Sequence, residues 1–413
     1  MLLIKVLLIS GYIYFLFILK KSFQSFFLDK PLVSIIIPVH NNFNYTYNCI
    51  SSILKAEPSL SFEIVIINDL SNDETTFLKK KYFNNFTNIF IYNNAKRQNF
   101  LINCNKGVKL SRGKYIIFLN NDTKVHKFWL SFLLELLNSD DKIGMVGSKL
   151  IYPNGILQEA GGVVWNNGEC LNFGIGNRAD LPEYNYIKEV DYISGASIMI
   201  KKELFEKIGG FDKRFIPAYY EDTDLAFQLR KLGYKVVYQP RSVVEHYEGI
   251  SNGKNINITS SIKYFQTINQ KKFIEKWKDE LNYQSRQGDI FIARDRSMNK
   301  SRILVVDRFV PNYDKDAGGR CCFMYLKLFK SIGLQVSFLP EDSRIIEPYT
   351  TTLEQMGIEV LYGKSYTGKK LEIWMSENLK FFNFVYLQRP VIAQKYIDLI
   401  KKYFRGKIFF FCT

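Results

Sequence analysis

The chain has 413 residues, 47% of them apolar and 15% aromatic, so it can bury a large core and is too long for a single average domain. An excess of 56 Lys and Arg over 40 Asp and Glu gives a net charge of +16, which predicts a solvated basic surface plus a pocket for an anion such as phosphate or an acidic lipid headgroup. The basic residues are scattered and no nucleic-acid-binding module with its own signature occurs, so we expect no nucleic-acid partner.

The first 29 residues are mostly apolar. Residues 2–19 contain few polar side chains and are followed by Lys20 and Lys21, and this length is borderline for a membrane-spanning helix. No small-residue cleavage site follows, which argues against a secretory signal. With the two lysines retained inside, the rest of the chain would face the cytosol, so residues 1–29 are interpreted as a membrane anchor. A helix on the membrane surface and the tail of a preceding element are the alternatives.

Residues 30–283 alternate between strand and helix patterns. Strands are predicted at residues 32–39, 62–67, 89–92, 113–119, 143–150 and 190–200, and helices at 45–54, 124–137, 202–208, 221–232 and 260–281. Several of these strands are β-branched runs without polar alternation, which is typical of strands buried on both faces of a parallel sheet. Residues 153–186 are rich in Gly and Asn and show little periodicity, so we expect a functional loop or lid there.

Polar residues follow two of these strands directly, at the edge where open α/β sheets bind ligands. Asp69 comes after the second strand, where its carboxylate could accept a hydrogen bond from a nucleobase, although an Asx-turn is the commoner explanation for such a residue taken alone. Asn120, Asn121 and Asp122 end the fourth strand and would suit a hard divalent cation with oxygen ligands, with a simple turn as the alternative.

Further ionisable side chains occur near the end of this region. Glu221 and Asp222 open a predicted helix, and acidic residues commonly stabilise a first turn, so helix stabilisation is the alternative to catalysis. In the catalytic interpretation the helix dipole keeps Asp222 ionised, so that it can take a proton from an acceptor hydroxyl that Glu221 hydrogen-bonds. His246 lies near the end of another strand, where it is either structural or a ligand of a cation held by Asp122.

A polar, basic stretch at residues 284–301 is interpreted as a linker to a second series of strands and helices. Strands are predicted there at residues 303–307, 335–339, 359–362, 384–387 and 407–411, the pattern of a Rossmann-like half domain. A glycine turn at residues 316–320 (DAGGR) would either cradle an acceptor or phosphate or form a tight structural turn. Because the chain stops after the fifth strand, we expect residues 302–413 to be an incomplete domain, as in a fragment of a longer tandem enzyme.

Seven segments of the first region resemble, in the same order, the motifs of the family 2 glycosyltransferases, which share the GT-A fold. They are residues 33–41 (VSIIIPVHN), 68–73 (NDLSND), 118–123 (FLNNDT), 194–196 (SGA), 209–212 (GGFD), 221–225 (EDTDL) and His246. The resemblance implies an α/β nucleotide-sugar-binding domain with a mixed, mainly parallel sheet over residues 30–283. Residues 302–413 in turn resemble the N-terminal Rossmann domain of a GT-B glycosyltransferase, whose nucleotide site normally lies in the other half, so we expect no second transferase activity.

The resemblance also implies a role for each matching side chain. A nucleotide sugar is expected to bind against Pro38, His40, Asn41, Asn68, Asp69, Lys106, Asn120 and Asn121, with the sugar and the acceptor beside Ser194, Gly195 and Ala196. Asp122 and His246 are expected to hold Mg2+ or Mn2+. Asp222, assisted by Glu221, is expected to act as the base of an inverting, single-displacement transfer.

Three departures from the family pattern refine these expectations. Asn68 replaces the first of two paired aspartates, which leaves base recognition mainly to Asp69. Asn120 replaces the first residue of the Asp-x-Asp motif, a variant similar to rhamnosyl- and galactofuranosyl-type members, so Asp122 is expected to do most of the metal binding. No Gln-x-x-Arg-Trp motif follows Asp222, which argues against a processive synthase.

We therefore expect a metal-dependent, inverting bacterial glycosyltransferase of hexosyl or rhamnosyl type. It would move a sugar from a nucleoside-diphosphate donor to a glycan or lipid-linked acceptor during synthesis of a surface polysaccharide of the cell envelope. Its expected location is the cytoplasmic face of the inner membrane, peripheral or single-pass, or otherwise the cytoplasm, which makes the membrane a further partner. The alternative is a non-catalytic glycan- or nucleotide-binding module of a larger assembly.

Overall fold

The computed structural model describes residues 30–57, 59–248 and 264–411. Residues 1–29, on which the predicted membrane anchor falls, lie outside the described residues. Within the described ranges, no helix is both long enough and apolar enough to cross a membrane.

A ten-stranded sheet organises the first part of the chain. The strands of this part are β1 (Val33–Val39), β2 (Phe62–Asn68), β3 (Ile89–Asn93), β4 (Tyr115–Leu119), β5 (Thr123–Val125), β6 (Ile143–Ile151), β7 (Leu157–Glu159), β8 (Gly162–Val164), β9 (Cys170–Asn172), β10 (Lys188–Glu189), β11 (Ser197–Lys201) and β12 (Lys235–His246). The sheet has the order β10-β12-β6-β11-β4-β1-β2-β3, with β5 paired to β12 and β7 paired to β6, while β8 and β9 form a separate antiparallel pair.

The sheet is mixed, as predicted, but it is not mainly parallel. Among the described strands of this sheet, four pairs are parallel, namely β1–β2, β1–β4, β2–β3 and β6–β12, and five pairs are antiparallel. The strand that departs most from a parallel sheet is β11, because it lies between β4 and β6 and runs antiparallel to both. A fully buried apolar strand shows the same residue pattern whether it pairs parallel or antiparallel with its neighbours. The sequence of β11 therefore does not predict the direction in which the strand runs.

Helices cover both faces of this sheet. They are α1 (Phe43–Ala56), α2 (Phe100–Leu110), α3 (Trp129–Ser139), α4 (Lys202–Lys207), α5 (Glu221–Lys231), α6 (Tyr264–Lys276) and α7 (Lys278–Leu281). All seven residues of β1 are buried, and their side chains alternate between the two faces. Val33, Ile35 and Ile37 join an apolar cluster with residues of α1 and α3, whereas Ile36 joins the opposite cluster with residues of α2.

Three predicted elements differ from the structure. The helix predicted at residues 124–137 begins at Trp129, because the residues before it pair with β12 as β5. The strand predicted at residues 190–200 begins at Ser197, and the residues before it form an irregular approach to the sheet edge. Residues 153–186 contain the short strands β7, β8 and β9, so they are more ordered than the expected loop or lid.

A second sheet, entirely parallel among its described strands, follows the short helix α8 (Ile290–Ala293). Its elements are β13 (Arg302–Asp307), α9 (Ala317–Ser331), β14 (Gln335–Pro340), α10 (Tyr349–Gln355), β15 (Glu359–Val360), α11 (Gly368–Asn378), β16 (Phe384–Gln388), α12 (Pro390–Tyr403) and β17 (Lys407–Phe411). The strand order is β15-β14-β13-β16-β17. All five strands coincide with the predicted positions.

Residues 284–301 contact both sheets through buried polar groups. The Arg294 guanidinium donates to both carboxylate oxygens of Glu359 in β15, at 2.7 and 2.9 Å. Asp295 pairs with the buried Arg302 of β13 and accepts a hydrogen bond from the hydroxyl of Tyr186 at 3.2 Å. Because removing one partner of a buried pair leaves the other charge uncompensated, these residues fasten the second sheet to the first. The domain boundary placed in this stretch stays a prediction.

Gly107 allows α2 to approach β1, and its replacement tests this packing. A Cβ at position 107 would lie 2.4 Å from Ile36 Cγ2 of β1. Gly107→Ala gains about 1 kcal/mol of helix propensity, but overpacking a core costs about 1–3 kcal/mol. The net change in the free energy of unfolding, measured by urea denaturation, is therefore expected to lie between about zero and a loss of about 2 kcal/mol. The exposed Lys109→Ala on the same helix is the control and should change stability by less than about 0.5 kcal/mol. A stabilised Gly107→Ala would contradict the close approach.

Candidate active site

A cavity of about 390 Å3 opens at the carboxyl ends of β1, β2 and β4. Of the fifteen predicted site residues, twelve line it: Pro38, His40, Asp69, Asn120, Asn121, Asp122, Ser194, Gly195, Ala196, Glu221, Asp222 and His246. The parallel pairing of β1 with β2 and β4 brings the residues after these strands to one edge. Because β11 runs antiparallel to β4, the residues before β11 reach the same edge, where the N–H of Asn120 donates to the carbonyl of Ala196 at 3.1 Å.

The other three predicted nucleotide contacts, Asn41, Asn68 and Lys106, are not among the residues that line the cavity, and their role stays a prediction. The backbone N–H of Asn41 donates to Ser71 Oγ at 2.8 Å, and the N–H of Ser71 donates to Asn68 Oδ1 at 3.1 Å. Lys106 Nζ donates to Asn94 Oδ1 at 2.6 Å. All three residues thus make hydrogen bonds to neighbouring residues of the protein.

Asp69 lines the cavity, and both of its carboxylate oxygens accept hydrogen bonds from the protein. Its Oδ1 accepts hydrogen bonds from the N–H of Gln98 and from Asn94 Nδ2, both at 2.8 Å. Its Oδ2 accepts from the N–H of Asn99 at 3.2 Å and lies 3.5 Å from Arg97 Nε. Asp69 therefore orders the loop that carries Arg97, in addition to its position beside the predicted nucleobase.

Asp122 and His246 come together because β5, directly after Asp122, pairs antiparallel with the end of β12. Asp122 Oδ1 lies 3.4 Å from His246 Nε2, and Asn120 Nδ2 lies 3.3 Å from the same nitrogen. Neighbouring ligands of an octahedral ion with bonds of about 2.1 Å are about 3 Å apart, so the carboxylate and the imidazole fit two positions around Mg2+ or Mn2+. The described residues contain no group of three or more His, Cys, Asp or Glu that could hold a metal.

Asp222 lies in the first turn of α5, and both of its carboxylate oxygens accept hydrogen bonds. Oδ2 accepts from the N–H of Gly195 at 2.8 Å, and Oδ1 accepts from the N–H and the hydroxyl of Thr223 at 2.6 and 3.2 Å. Burial nevertheless raises the pKa of Asp222 above its usual value, so the helix dipole does not dominate its ionisation as expected. A raised pKa makes the ionised carboxylate a stronger base.

Two further buried carboxyl groups, Glu221 and Glu159, have raised pKa values. Burial, and then the neighbouring Asp222, raise the pKa of Glu221 well above its usual value, and its Oε2 has no partner among the described residues. Glu159, at the end of β7, accepts a hydrogen bond from the N–H of Ser194 at 3.0 Å, and burial raises its pKa to about 8. Glu159 and Asp222 therefore hold the successive N–H groups of Ser194 and Gly195.

The loop before α5 is held in a strained conformation. Tyr219 and Tyr220 have φ of 72° and 69°, in the left-handed region that non-glycine residues rarely adopt. The buried Asn269 of α6 donates through Nδ2 to the carbonyls of Phe215 at 2.7 Å and Ala218 at 2.8 Å. This contact with α6 helps to offset the strain and fixes where α5 begins.

The charge of the cavity differs from the expected anion pocket. Its lining contains the carboxyl groups of Asp69, Asp122, Glu221, Asp222 and Glu248, and the single Lys or Arg among the described lining residues is Arg97. The net charge of the chain therefore does not predict the charge of this site.

Several lining residues were not predicted as site residues, and of those named next only Val39 and Thr223 fall in segments that resemble family motifs. They are Val39, Arg97, Asn99, Phe100, Asn103, Gln158, Tyr192, Tyr219, Thr223, Glu248 and Gln266, among others. Gln158 lies in the Gly- and Asn-rich region expected to be functional, which was the one signal for it. The remaining side chains reach the cavity only through tertiary packing.

Comparison with known proteins assigns a family to part of the chain. The sequence profile described as Glycosyl transferase family 2 matches residues 34–209, which confirms the family resemblance over that range. Asp69, Asp122 and the turn at residues 194–196 lie inside the match, whereas Asp222 and His246 follow it.

Curated relatives and solved structures add the following similarities. The O-antigen biosynthesis protein RfbC of Myxococcus xanthus is 27% identical over 231 residues, which cover 54% of this chain and 18% of that protein. Poly(ribitol-phosphate) beta-N-acetylglucosaminyltransferase TarP of Staphylococcus aureus strain N315 is 28% identical over 250 residues, covering 58% and 70%. The crystal structure of GalNAc-T7 with UDP, GalNAc and Mn2+ aligns with a TM-score of 0.49 at 19% identity, covering 65% of this chain and 52% of that chain. The chain spans less than a third of the length of two of the curated relatives that it matches, 28% and 18%.

The raised pKa of Glu159 predicts a specific pH dependence of stability. Because the folded-state pKa is about 8 and the usual value is 4.5, the neutral carboxyl contributes stability that is fully present below pH 4.5 and is lost as the pH rises to 8. The stability of the wild type relative to Glu159→Gln should therefore fall by up to about 5 kcal/mol over this range, at about 1.4 kcal/mol per pKa unit. Urea denaturation at several pH values measures the difference. The exposed Glu206→Gln should show none, and a flat difference for Glu159→Gln would contradict the assignment.

Proposed function

We propose that the chain transfers a sugar from a nucleoside-diphosphate donor to a hydroxyl of a glycan or lipid-linked acceptor, since residues 34–209 match the profile described as Glycosyl transferase family 2. The observation that carries the proposal is the meeting of three groups in one cavity. Asp69 lies at the nucleotide end, Asp122 with His246 forms a two-ligand cation site, and Asp222 is a buried carboxylate with a raised pKa. These are the functions that sugar transfer from a diphosphate requires.

The donor is proposed to bind along the edge formed by β1, β2 and β4. The nucleoside packs against Pro38 and Asp69, and Arg97 is the side chain that can reach an anionic or polar group there. Asp122 and His246 would hold Mg2+ or Mn2+, which when bound supplies the positive charge that offsets the diphosphate leaving group. Asn120 and Asn121 complete the polar surface beside it. The carboxylates exclude an unneutralised diphosphate, so donor binding is expected to require the cation.

Asp222 is proposed to be the catalytic base. Its carboxylate takes the proton of the acceptor hydroxyl as that oxygen attacks the anomeric carbon, and the bond to the diphosphate breaks in the same displacement. One base and one displacement give inversion at the anomeric carbon. Glu221, whose raised pKa favours the neutral form, can donate a hydrogen bond to the acceptor. The turn at residues 194–196 positions the base through the hydrogen bond from Gly195.

The biological setting is proposed from the relatives. Their descriptions name O-antigen biosynthesis and transfer of N-acetylglucosamine to poly(ribitol-phosphate), so we propose a role in bacterial surface polysaccharide synthesis with a hexosyl or rhamnosyl donor. A lipid-linked acceptor and residues 1–29 would place the enzyme at the cytoplasmic face of the inner membrane. The strand order of the second sheet supports a Rossmann-like, GT-B-like half domain, to which we assign no second transfer.

Asp222→Asn tests the base. The variant keeps the size of the side chain but cannot take a proton, and it replaces one of the two accepting oxygens by an amide nitrogen, so donor hydrolysis or transfer should fall by about 100-fold or more. Mass spectrometry of UDP-, GDP- and dTDP-sugars incubated with Mn2+ or Mg2+ measures it. Asp141→Asn, at a fully exposed carboxylate, is the matched control and should retain activity. If wild type and Asp222→Asn are equally inert with every donor that binds, the non-catalytic binding module is correct instead.

Asp122→Asn tests the cation site separately from catalysis. A nucleotide sugar at a hundred times its dissociation constant stabilises the protein by about 2.7 kcal/mol, and this gain should require Mn2+ or Mg2+ in the wild type. Asp122→Asn should lose the metal-dependent part of the gain, because a neutral amide binds a divalent cation more weakly. Thermal unfolding with metal or with EDTA measures the effect. Equal stabilisation by the donor in EDTA would contradict a metal-dependent site.

A further inference from the structure

A hydrogen-bonded chain of three side chains lies behind His246. His246 Nδ1 is 3.0 Å from Gln158 Oε1, and Gln158 Nε2 donates to Glu248 Oε2 at 3.1 Å. The hydroxyl of Tyr152 donates to the same Glu248 oxygen at 3.0 Å. None of these three supporting side chains belongs to a recognised motif.

The chain determines which nitrogen of His246 carries the proton. The Glu248 carboxylate can only accept hydrogen bonds, so it requires the amide nitrogen of Gln158 to face it. The amide oxygen of Gln158 then faces His246 and requires a proton on Nδ1. A neutral imidazole protonated at Nδ1 has a lone pair at Nε2, the nitrogen beside Asp122 and Asn120.

The contact between His246 and Asp122 agrees with this tautomer. If Nε2 carried the proton, it would be expected to donate to Asp122 at about 2.7–3.2 Å. The observed separation of 3.4 Å is longer. An acceptor nitrogen next to a carboxylate oxygen is instead an arrangement that a shared cation stabilises.

We propose that Glu248 is a positioning residue that fixes the Nδ1-protonated tautomer of His246 through Gln158, and so keeps a lone pair on Nε2, where a divalent cation would replace the contact with Asn120 Nδ2. Tyr152 in turn holds the Glu248 carboxylate in place. The part of this inference that concerns the cation rests on the proposed function, whereas the tautomer is a property of the protein alone.

Glu248→Gln is the informative substitution. A glutamine at position 248 can either donate to or accept from Gln158, so the amide of Gln158 loses its fixed orientation and both tautomers of His246 should be populated. The exchanged pair Gln158→Glu with Glu248→Gln restores an obligatory acceptor next to His246, together with a donor behind it. This double variant should return His246 to the single Nδ1-protonated form.

The readout is the imidazole nitrogen spectrum of the full chain labelled with 15N-histidine, recorded at pH 8 without metal. The chain has only three histidines, and the His246 signals are identified by their loss in His246→Ala. Glu245→Gln is the matched control on the same strand, because Glu245 contacts His126 rather than His246. It should change the signals of His126 and leave those of His246 unchanged.

Mn2+ titration followed by electron paramagnetic resonance, with UDP present, is the second readout. Glu248→Gln should weaken Mn2+ binding by about tenfold, and the exchanged pair should recover most of the loss. An Nε2-protonated His246 in the wild type, or an unchanged single tautomer in Glu248→Gln, overturns the positioning role. If the tautomers respond as expected but the wild type binds no Mn2+ in either the absence or the presence of UDP, the proposed metal site is wrong and the role of Glu248 in fixing the tautomer stands.

Discussion

The site is governed by an excess of negative charge that the fold does not neutralise. Five carboxyl groups line one cavity with a single Arg or Lys among its described lining residues, although the chain as a whole carries a charge of +16. Burial disfavours the ionised form of a carboxyl group and raises the pKa of both Glu221 and Asp222, and for Glu221 the neighbouring Asp222 raises the pKa further. In the proposed function, a divalent cation bound by these carboxylates would in turn permit a diphosphate to bind. The strength of the proposed base therefore comes from burial, whereas the proposed cation dependence comes from the surrounding carboxylates.

The strand order of the sheet brings these acidic side chains together. Parallel strands β1, β2 and β4 deliver Asp69 and Asp122 to one edge, and the antiparallel β11 returns the turn at residues 194–196 to the same edge. Hydrogen bonds from that turn then hold Glu159 and Asp222 next to each other. The long strand β12 adds His246 through its pairing with β5. The positions of Asp69, Asp122 and Asp222 are thus set by strand pairing and by the turn, so mutual repulsion cannot simply separate them.

The sequence predicts the parts of the fold and of the site that depend on local pattern. The buried runs of β1 and β4 and the polar residues after them could be located because apolar continuity and strand-end polarity are short-range signals. The direction of β11 could not be predicted, since it depends on which strands pair with β11 in the folded sheet. The sequence analysis missed three polar residues for a related reason, namely Gln158, Glu159 and Glu248. No local sequence pattern indicates that a polar side chain has its partner on a distant strand. The nucleotide contact expected of Lys106 stays a prediction, since its side chain donates to Asn94, which in turn donates to Asp69.

The claim on which the account depends is that Asp122 and His246 hold a cation together with the donor diphosphate. A crystal of the full chain grown with Mn2+ and UDP, measured at the manganese absorption edge, tests this most directly. The account predicts an anomalous peak about 2.0–2.3 Å from Asp122 and from His246 Nε2, bridged to the diphosphate oxygens. A diphosphate bound in the cavity with no peak at Asp122, or a manganese ion bound elsewhere, would contradict it.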